Sequence, residues 1–404
     1  MAIDKCNPFL KSIHVITKDT KAPVSSFLIL QVLSFLSEIA VIMTSVYLPF
    51  YAYNLGANVF EVGLIGASSS ITYIFMPFFA GRFSDRLGQR KSLFIGYGTL
   101  AISFILYYLI TFPILFIPIR AIEGLGWSFV WPSLEALMGS GQKQLRMYNI
   151  MWGMGSILGP YIGGILLQVT LPKNIFMTIS LMTVILFILC RMVPKRIQIF
   201  SHELTNVGSG SSGISSFRRS FFYYGFFYGF SSLIMITFFP IYSYARNITI
   251  VEVGNILTLM NFGRFLAFLV PNSIGNLIDR ERTPFLCVIL ASALSFAIFY
   301  DVQVQFIYIG LFFFGLFLGL MYSIILNNTM RMAGEKKGYY AGIFESVLGI
   351  GFFAGPGVGG VIANLRINYV FVLPSIVTVS YLIIKLVNVL KTKSSKRTKN
   401  YFKE

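Results

Sequence analysis

The 404-residue sequence predicts an all-α membrane protein, with twelve transmembrane helices in two six-helix repeats and both termini on the cytoplasmic side. Three observations predict it. Only 12% of the residues are charged and 56% are apolar, whereas a soluble domain uses about 25% charged residues to cover its surface. Apolar runs of helical length, roughly the 20 residues that a crossing needs, recur along the whole chain; a membrane β-barrel would alternate polarity in segments of about 10 residues. Lysine and arginine fall almost entirely into alternate connections, as the positive-inside rule asks of a helical bundle.

The first span, 25–53, has Glu38 near its middle, and the second, 60–81, runs into a basic loop that ends at Lys91. Spans three and four, 92–112 and 114–139, are joined by a short turn, and the fourth carries Arg120. The fifth, 147–170, is rich in glycine, and the sixth, 174–193, ends where the sequence turns polar. The seventh, 220–245, opens on the aromatic run from Phe221 to Tyr228, and the eighth, 251–277, contains Arg264. Spans nine to twelve follow at 284–301, 304–330, 338–364 and 368–390.

With the N-terminus inside, the inside segments hold 26 of the 32 basic residues, and the outside loops hold three, Lys173, Arg246 and Arg366. The last three, Arg120, Arg264 and Lys385, lie within spans. Topology and attraction to anionic lipid head groups therefore account for most of the +17 formal charge, and nucleic acid is not expected as a partner. The chain divides into a cytoplasmic N-tail at 1–24, a six-helix half at 25–193, a linker at 194–219, a second half at 220–390 and a basic tail at 391–404. The linker is centred on the flexible tract Gly208-Ser209-Gly210-Ser211-Ser212-Gly213.

Several chemistries are not expected. Cys6, Cys190 and Cys287 are dispersed, His14 and His202 are isolated, and His202-Glu203 lacks the second histidine of a zinc-protease helix. No metal or other cofactor is therefore predicted. The Gly/Ser tract is not followed by the Gly-Lys-Ser/Thr that a phosphate loop needs, so ATP use is not expected. The first twenty residues have no apolar core of signal-peptide length. No serine, cysteine or histidine-centred catalytic arrangement falls in the spans, which argues against an enzyme.

The two halves share three sequence pairs in the same order. Glu61-Val62-Gly63 recurs as Glu252-Val253-Gly254, and Gly81-Arg82-Phe83-Ser84-Asp85-Arg86 recurs as Gly275-Asn276-Leu277-Ile278-Asp279-Arg280. In the fifth and eleventh spans, Gly155, Gly159, Pro160, Gly163 and Gly164 recur as Gly351, Gly355, Pro356, Gly359 and Gly360. Two related halves about an axis along the membrane normal are the organisation of a secondary transporter.

At these residues the chain resembles the major facilitator superfamily over essentially its full length. The loop Gly81-Arg82-Phe83-Ser84-Asp85-Arg86-Leu87-Gly88-Gln89-Arg90-Lys91 is similar to that family's signature between helices 2 and 3, with Phe83 in place of Leu and Gln89 in place of Arg. The resemblance assigns Gly81, Asp85, Arg86, Gly88, Arg90 and Lys91, with Asp279 and Arg280 of the second half, to a cluster that gates the cytoplasmic face. Arg120-Ala121-Ile122-Glu123-Gly124-Leu125-Gly126 resembles the R-x-x-x-G-x-G motif of proton-coupled members, with Glu123 as an added acid at i+3. The fifth-span glycines resemble the motif of the antiporter, drug-efflux branch, although Arg146 stands where that branch has a further glycine. A tight helix seam made by small residues is the plainer reading of the same pattern.

Glu38 is flanked by apolar residues for more than a turn on each side, where a carboxylate is costly unless it is paired, hydrated or functional. The family architecture places the first and fourth spans on a central cavity, so Glu38, Arg120 and Glu123 are expected to meet there and couple transport to protons. Glu345 and Arg264 form a second intramembrane pair of opposite sign, which either holds substrate, carries a proton or ties two helices together. Glu135 reads as an interfacial or inter-half contact. Among the 41 Phe, 22 Tyr and 3 Trp, most serve lipid or packing contacts; Tyr47, Tyr73, Trp127, Tyr224 and Tyr228 are the candidates to line the cavity with Arg264.

The function expected is secondary active transport of small organic solutes by alternating access, as proton-coupled export of hydrophobic or cationic compounds from a multi-pass position in the cell membrane. A proton-coupled metabolite importer or uniporter is the alternative, and a non-transporting receptor or scaffold is the alternative of another class. The partners expected are a small-molecule substrate, protons and the lipid bilayer, and the resemblance implies a monomer.

Overall fold

Within hydrocarbon every backbone N–H and C=O must be satisfied inside its own segment, and for apolar runs of this length the helix does so. A computed structural model describes residues 24–138, 142–193, 214–269, 282–332 and 337–401. Its long helices are α1 (Val24–Asn54), α2 (Val59–Leu87), α3 (Gln89–Leu109), α4 (Phe116–Met138), α5 (Gln142–Val169) and α6 (Asn174–Leu189), followed by α7 (Ile214–Ala245), α8 (Ile250–Leu269), α9 (Arg282–Phe299), α10 (Val304–Met332), α11 (Lys337–Ala363) and α12 (Leu373–Tyr401). All twelve are long and apolar enough to cross a membrane, and no strand occurs among the described residues.

Helix ends depart from the hydropathy edges. α7 begins at Ile214, inside the expected linker, and α12 continues to Tyr401 through the basic tail. Lysine and arginine are good helix formers, so a helix outruns its apolar stretch; hydropathy marks the crossing and not the last hydrogen-bonded residue. The N-tail to residue 23, most of the linker, and the second-half loop with Asp279 and Arg280 lie outside the described residues.

Local chemistry explains the tight connections. Gly88 has φ 95°, a left-handed conformation that favours glycine, and it alone separates α2 from α3. Its N–H donates to Ser84 O at 2.8 Å. At the other end of α2, Asn58 Oδ1 accepts from the Glu61 N–H at 2.9 Å and Glu61 Oε2 accepts from the Asn58 N–H at 3.0 Å, a reciprocal capping box. Thr249 and Glu252 repeat it at the start of α8, where Glu252 Oε2 accepts from the Thr249 N–H at 2.9 Å. The recurring Glu-Val-Gly is thus a helix start used twice.

Packing follows the repeat. In the first half α1 lies on α5, α2 on α4, and α3 on α4 and α6; in the second, α7 lies on α11, α8 on α10, and α9 on α10. The halves join where α2 meets α11 and where α5 meets α8, two contacts related by the same shift of six helices. The face of the bundle at which α1 begins is termed the terminal face, and the opposite one, at which α1 ends, the distal face. Toward the distal face the halves are sealed: a methyl group on Gly63 would lie 2.6 Å from Gly360 Cα, and one on Gly254 would lie 2.7 Å from Pro160 O and 3.3 Å from Gly164 Cα. The ring of Tyr244 meets Phe50 at 5.9 Å and Tyr53 at 6.3 Å between centroids, which closes the α1–α7 contact at the same end.

Candidate transport site

α1 brings Glu38 to the middle of the bundle, where it is 3% exposed. It can lie there because α5 carries no side chain at Gly155: a methyl group at that position would sit 2.9 Å from Glu38 Cβ and 2.6 Å from Phe35 O. Trp152 stands one turn earlier on α5, and the opposite charge acting on the Glu38 carboxylate is Arg264 of α8, in the other half. Arg264 is 5% exposed and its guanidinium carbon stands 5.5 Å from the centroid of the Tyr228 ring. Among the described residues the two charges form no direct ion pair, and Arg264 Nε and Nη2 have no hydrogen-bond partner.

Rings from five helices enclose this point. Tyr228 of α7 packs on Tyr322 of α10 at 4.8 Å between centroids. Tyr322 also meets Phe344 of α11 at 5.2 Å and Phe268 of α8 at 5.6 Å. Phe268 continues to Trp152 at 5.9 Å. Two further acids share the space, Glu345 of α11, half-buried, and Glu135 of α4, exposed. The Glu135 charge acts on Glu345 across the halves, and with Glu38 both act on Tyr73 of α2. Tyr148 of α5 faces the same three acids.

Arg120 is not part of this group. Arg120 Nη1 donates to Glu123 Oε1 at 2.6 Å and Oε2 at 2.7 Å, and Arg120 Nη2 donates to Ser45 Oγ at 2.9 Å. Tyr107 O–H donates to Glu123 Oε2 at 2.9 Å and the Trp127 indole N–H donates to Glu123 Oε1 at 3.0 Å. The expected meeting of Glu38 with Arg120 and Glu123 is therefore corrected. Ser45, the α1 residue that Arg120 reaches, lies seven residues from Glu38, about 10 Å along the helix at 1.5 Å per residue. The expected pairing of Glu345 with Arg264 is corrected as well, since the Arg264 charge acts on Glu38 and the charge acting on Glu345 is Glu135.

Of the aromatic candidates, Tyr73 and Tyr228 face the acids. Tyr47 does not: it is fully buried, its ring covers Gly163, and its O–H donates to Pro160 O. Trp127 belongs to the Glu123 network and stacks on Trp131. Tyr224 packs beside Tyr223 and Tyr381, toward α12. The glycine motif lines helix contacts: Gly155 and Gly159 lie on α1, Gly351 and Gly355 on α7, Gly359 against the Phe238 ring, and Gly164 and Gly360 on the facing half. In the α2–α3 loop Arg86 is exposed, Lys91 is exposed, and Arg90 lies 5.8 Å from the Phe94 centroid. The side chain of Asp85 and the segment with Asp279 and Arg280 are outside the described residues.

The sequence profile of the Major Facilitator Superfamily matches residues 30–300 and again 221–403. The chain belongs to the Major Facilitator Superfamily. It is similar to "Multidrug resistance protein 2" of Bacillus subtilis (strain 168), 22% identical over 336 residues that cover 79% of this chain and 84% of the relative. It is also similar to the "Proton-coupled antiporter flippase LtaA" of Staphylococcus saprophyticus, 24% identical over 358 residues, covering 84% and 87%. Among solved structures, the nucleoside transporter NupG superposes with a TM-score of 0.70 at 15% identity, covering 88% of this chain and 98% of that one. This facilitator-superfamily protein is a multi-pass membrane transporter of small molecules.

Trp152, Tyr148, Tyr322 and Phe268 are the site residues that sequence reasoning left out, and Glu135 entered it only as an interfacial or inter-half contact. Glu135 had a signal, being a carboxylate within a span, as costly there as Glu38. Trp152 stands three residues before Gly155 and so shares its helix face, and its N–H needs an acceptor when shielded from water. The ring of aromatics carried no signal, because every face of α7 is aromatic and only the fold selects the inward one.

Proposed function

We propose that this transporter exports hydrophobic or cationic organic compounds in exchange for protons, by alternating access, with its terminal face toward the cytoplasm. The single observation that carries the reading is Glu38: a carboxylate buried at the junction of the halves, seated on Gly155 of its own half and under the charge of Arg264 of the other. The distribution of basic residues supports the sidedness. The multidrug and proton-coupled antiporter names of relatives at 22% and 24% identity support the direction and the coupling.

The geometry supports a simple exchange. With the distal end sealed by Gly63 against Gly360 and Gly254 against Gly164, solute enters from the terminal face, where Glu135 is exposed between the halves. An aromatic cation stacks on Tyr228 and Tyr322 and neutralises the carboxylates, and cation–π contact adds to the attraction. Once the halves rock and the distal seam parts, protons take the cation's place on the same carboxylates. Proton and cation compete for one set of acids, so the two alternate, and that competition is the coupling.

The test uses purified full-length protein in liposomes loaded with acidic buffer and diluted into alkaline medium containing tetraphenylphosphonium. Accumulation against its gradient, abolished by nigericin, is the expected result. Equilibration to equal concentrations, indifferent to the pH gradient, indicates a uniporter and overturns the exchange. Absence of flux for any tested solute points to a receptor on this fold.

A further inference from the structure

Arg264 holds a combination that the exchange above leaves unused. It is a full charge, 5% exposed, in the last third of α8. Its guanidinium leans on the Tyr228 ring at 5.5 Å, and its Nε and Nη2 have no hydrogen-bond partner. A buried guanidinium normally finds acceptors for its N–H groups, since each donor left unpaired has given up its water for nothing. Its neighbours on α8 do not pair with it: Asn261, one turn away, donates its Nδ2 to Ser156 O at 2.9 Å while its own Oδ1 has no partner, and Thr258 donates to Ile157 O at 3.1 Å. Glu38 lies against Gly155 of α5, and α8 meets the same turn of α5 where Asn261 reaches Ser156, yet no ion pair within 4.0 Å joins Glu38 to Arg264.

We infer that Glu38 and Arg264 form a dipolar substrate site that takes a zwitterionic head group, its cationic centre on Glu38 and its carboxylate or phosphate on the free N–H groups of Arg264. Two unlike charges that face each other without touching are complementary to a ligand carrying both charges, whereas a simple cation leaves the Arg264 donors unsatisfied. The planar fork of Arg264 suits a two-oxygen acceptor. The aromatic shell of Tyr228, Tyr322, Phe268 and Trp152 receives the apolar remainder of the molecule. The assignment rests on the reading of the inter-half space as the substrate path, and it narrows that reading to amphiphiles with a dipolar head.

The experiment measures binding without any gradient, to full-length protein in nanodiscs of phosphatidylglycerol, by energy transfer from tryptophan to dansyl. Three probes share one tail: Nε-dansyl-lysine is zwitterionic, Nε-dansyl-lysinamide cationic and Nα-acetyl-Nε-dansyl-lysine anionic. Wild-type protein is expected to bind the zwitterion at least tenfold more tightly than either of the others. Arg264→Gln should lower zwitterion affinity at least tenfold without weakening the lysinamide, whose cation loses a like-charged neighbour; Glu38→Gln should lower zwitterion affinity to the level of the acetylated probe. Equal affinities within twofold for the three heads on wild-type protein overturn the inference, and that comparison needs no variant to fold. An equal loss for all three probes in both Arg264→Gln and Arg264→Lys, with unfolding temperatures unchanged, overturns it too. Competition on replacing phosphatidylglycerol by phosphatidylethanolamine supports the site with a lipid head group as its ligand; no competition supports it with a free solute. Loss of proton-driven flux with head-group selectivity intact defeats the exchange and spares this site, and the converse result does the opposite.

Discussion

At the residue scale, the two arginines of the spans use opposite strategies. Arg120 is closed on itself: Glu123 takes both bonds from Nη1 while Tyr107 and Trp127 fill the remaining carboxylate positions. Breaking such a buried pair leaves one charge stranded, so Glu123→Ala is expected to cost about 3–5 kcal/mol, read as a large fall in unfolding temperature in detergent. Arg120→Leu with Glu123→Leu removes both charges and should recover most of that loss. A double variant as unstable as Glu123→Ala would show that the pair does more than neutralise itself. Arg264, in contrast, has open donors beside Tyr228. The sequence marked Glu38, Arg120, Glu123, Arg264 and Glu345 as costly, because cost depends only on depth in an apolar run. It did not show who pairs with whom, since pairing depends on depth matched between different helices, and Ser45 rather than Glu38 stands level with Arg120.

Glycine governs the element scale. The recurring glycines were legible as close-contact positions, and the helices that they touch were not. Gly155 gives Glu38 its room, Gly351 and Gly355 bring α11 onto Phe226 and Phe230 of α7, and the pairs Gly63–Gly360 and Gly254–Gly164 seal the distal end between halves. Because a Cβ at Gly63 or Gly254 would fall within 3.0 Å of backbone atoms of the facing half, Gly63→Val and Gly254→Val are expected to disfavour the sealed state and lower flux at least tenfold while the protein remains monodisperse. Gly98 serves as the control, since a methyl group there meets only the Phe187 ring at 3.6 Å, and Gly98→Ala should transport normally. Equal flux in all three variants would remove the seam from the transport cycle. The capping boxes at Asn58 and Thr249 belong to this scale too; they fix where α2 and α8 begin, and so the level of both glycine crossings.

For the whole molecule, twelve crossings and two repeats followed from hydropathy, charge asymmetry and the three recurring motifs, because each of these is a property of the chain taken alone. The assembly of the site was not, because it needs α1, α5 and α8 to converge across a boundary between halves. Sidedness is testable directly. Cys190 and Cys287 are buried, and Cys6 belongs to the N-tail proposed to be cytoplasmic; an impermeant maleimide directed at Cys6 should label it in permeabilised cells and not in intact ones. Labelling in intact cells would invert the topology and the direction of transport with it.

The coupling of solute to protons at Glu38 is the central claim, and the most direct measurement records both fluxes in one preparation. Full-length protein is reconstituted in liposomes that enclose a pH-sensitive dye, a pH gradient is imposed with the interior acid, and tetraphenylphosphonium or Nε-dansyl-lysine is added outside. Wild-type protein should answer each transported solute with proton efflux, and Glu38→Gln, at solute concentrations that saturate its weakened site, should release no protons. Solute uptake in Glu38→Gln accompanied by proton efflux equal to wild type would contradict the account.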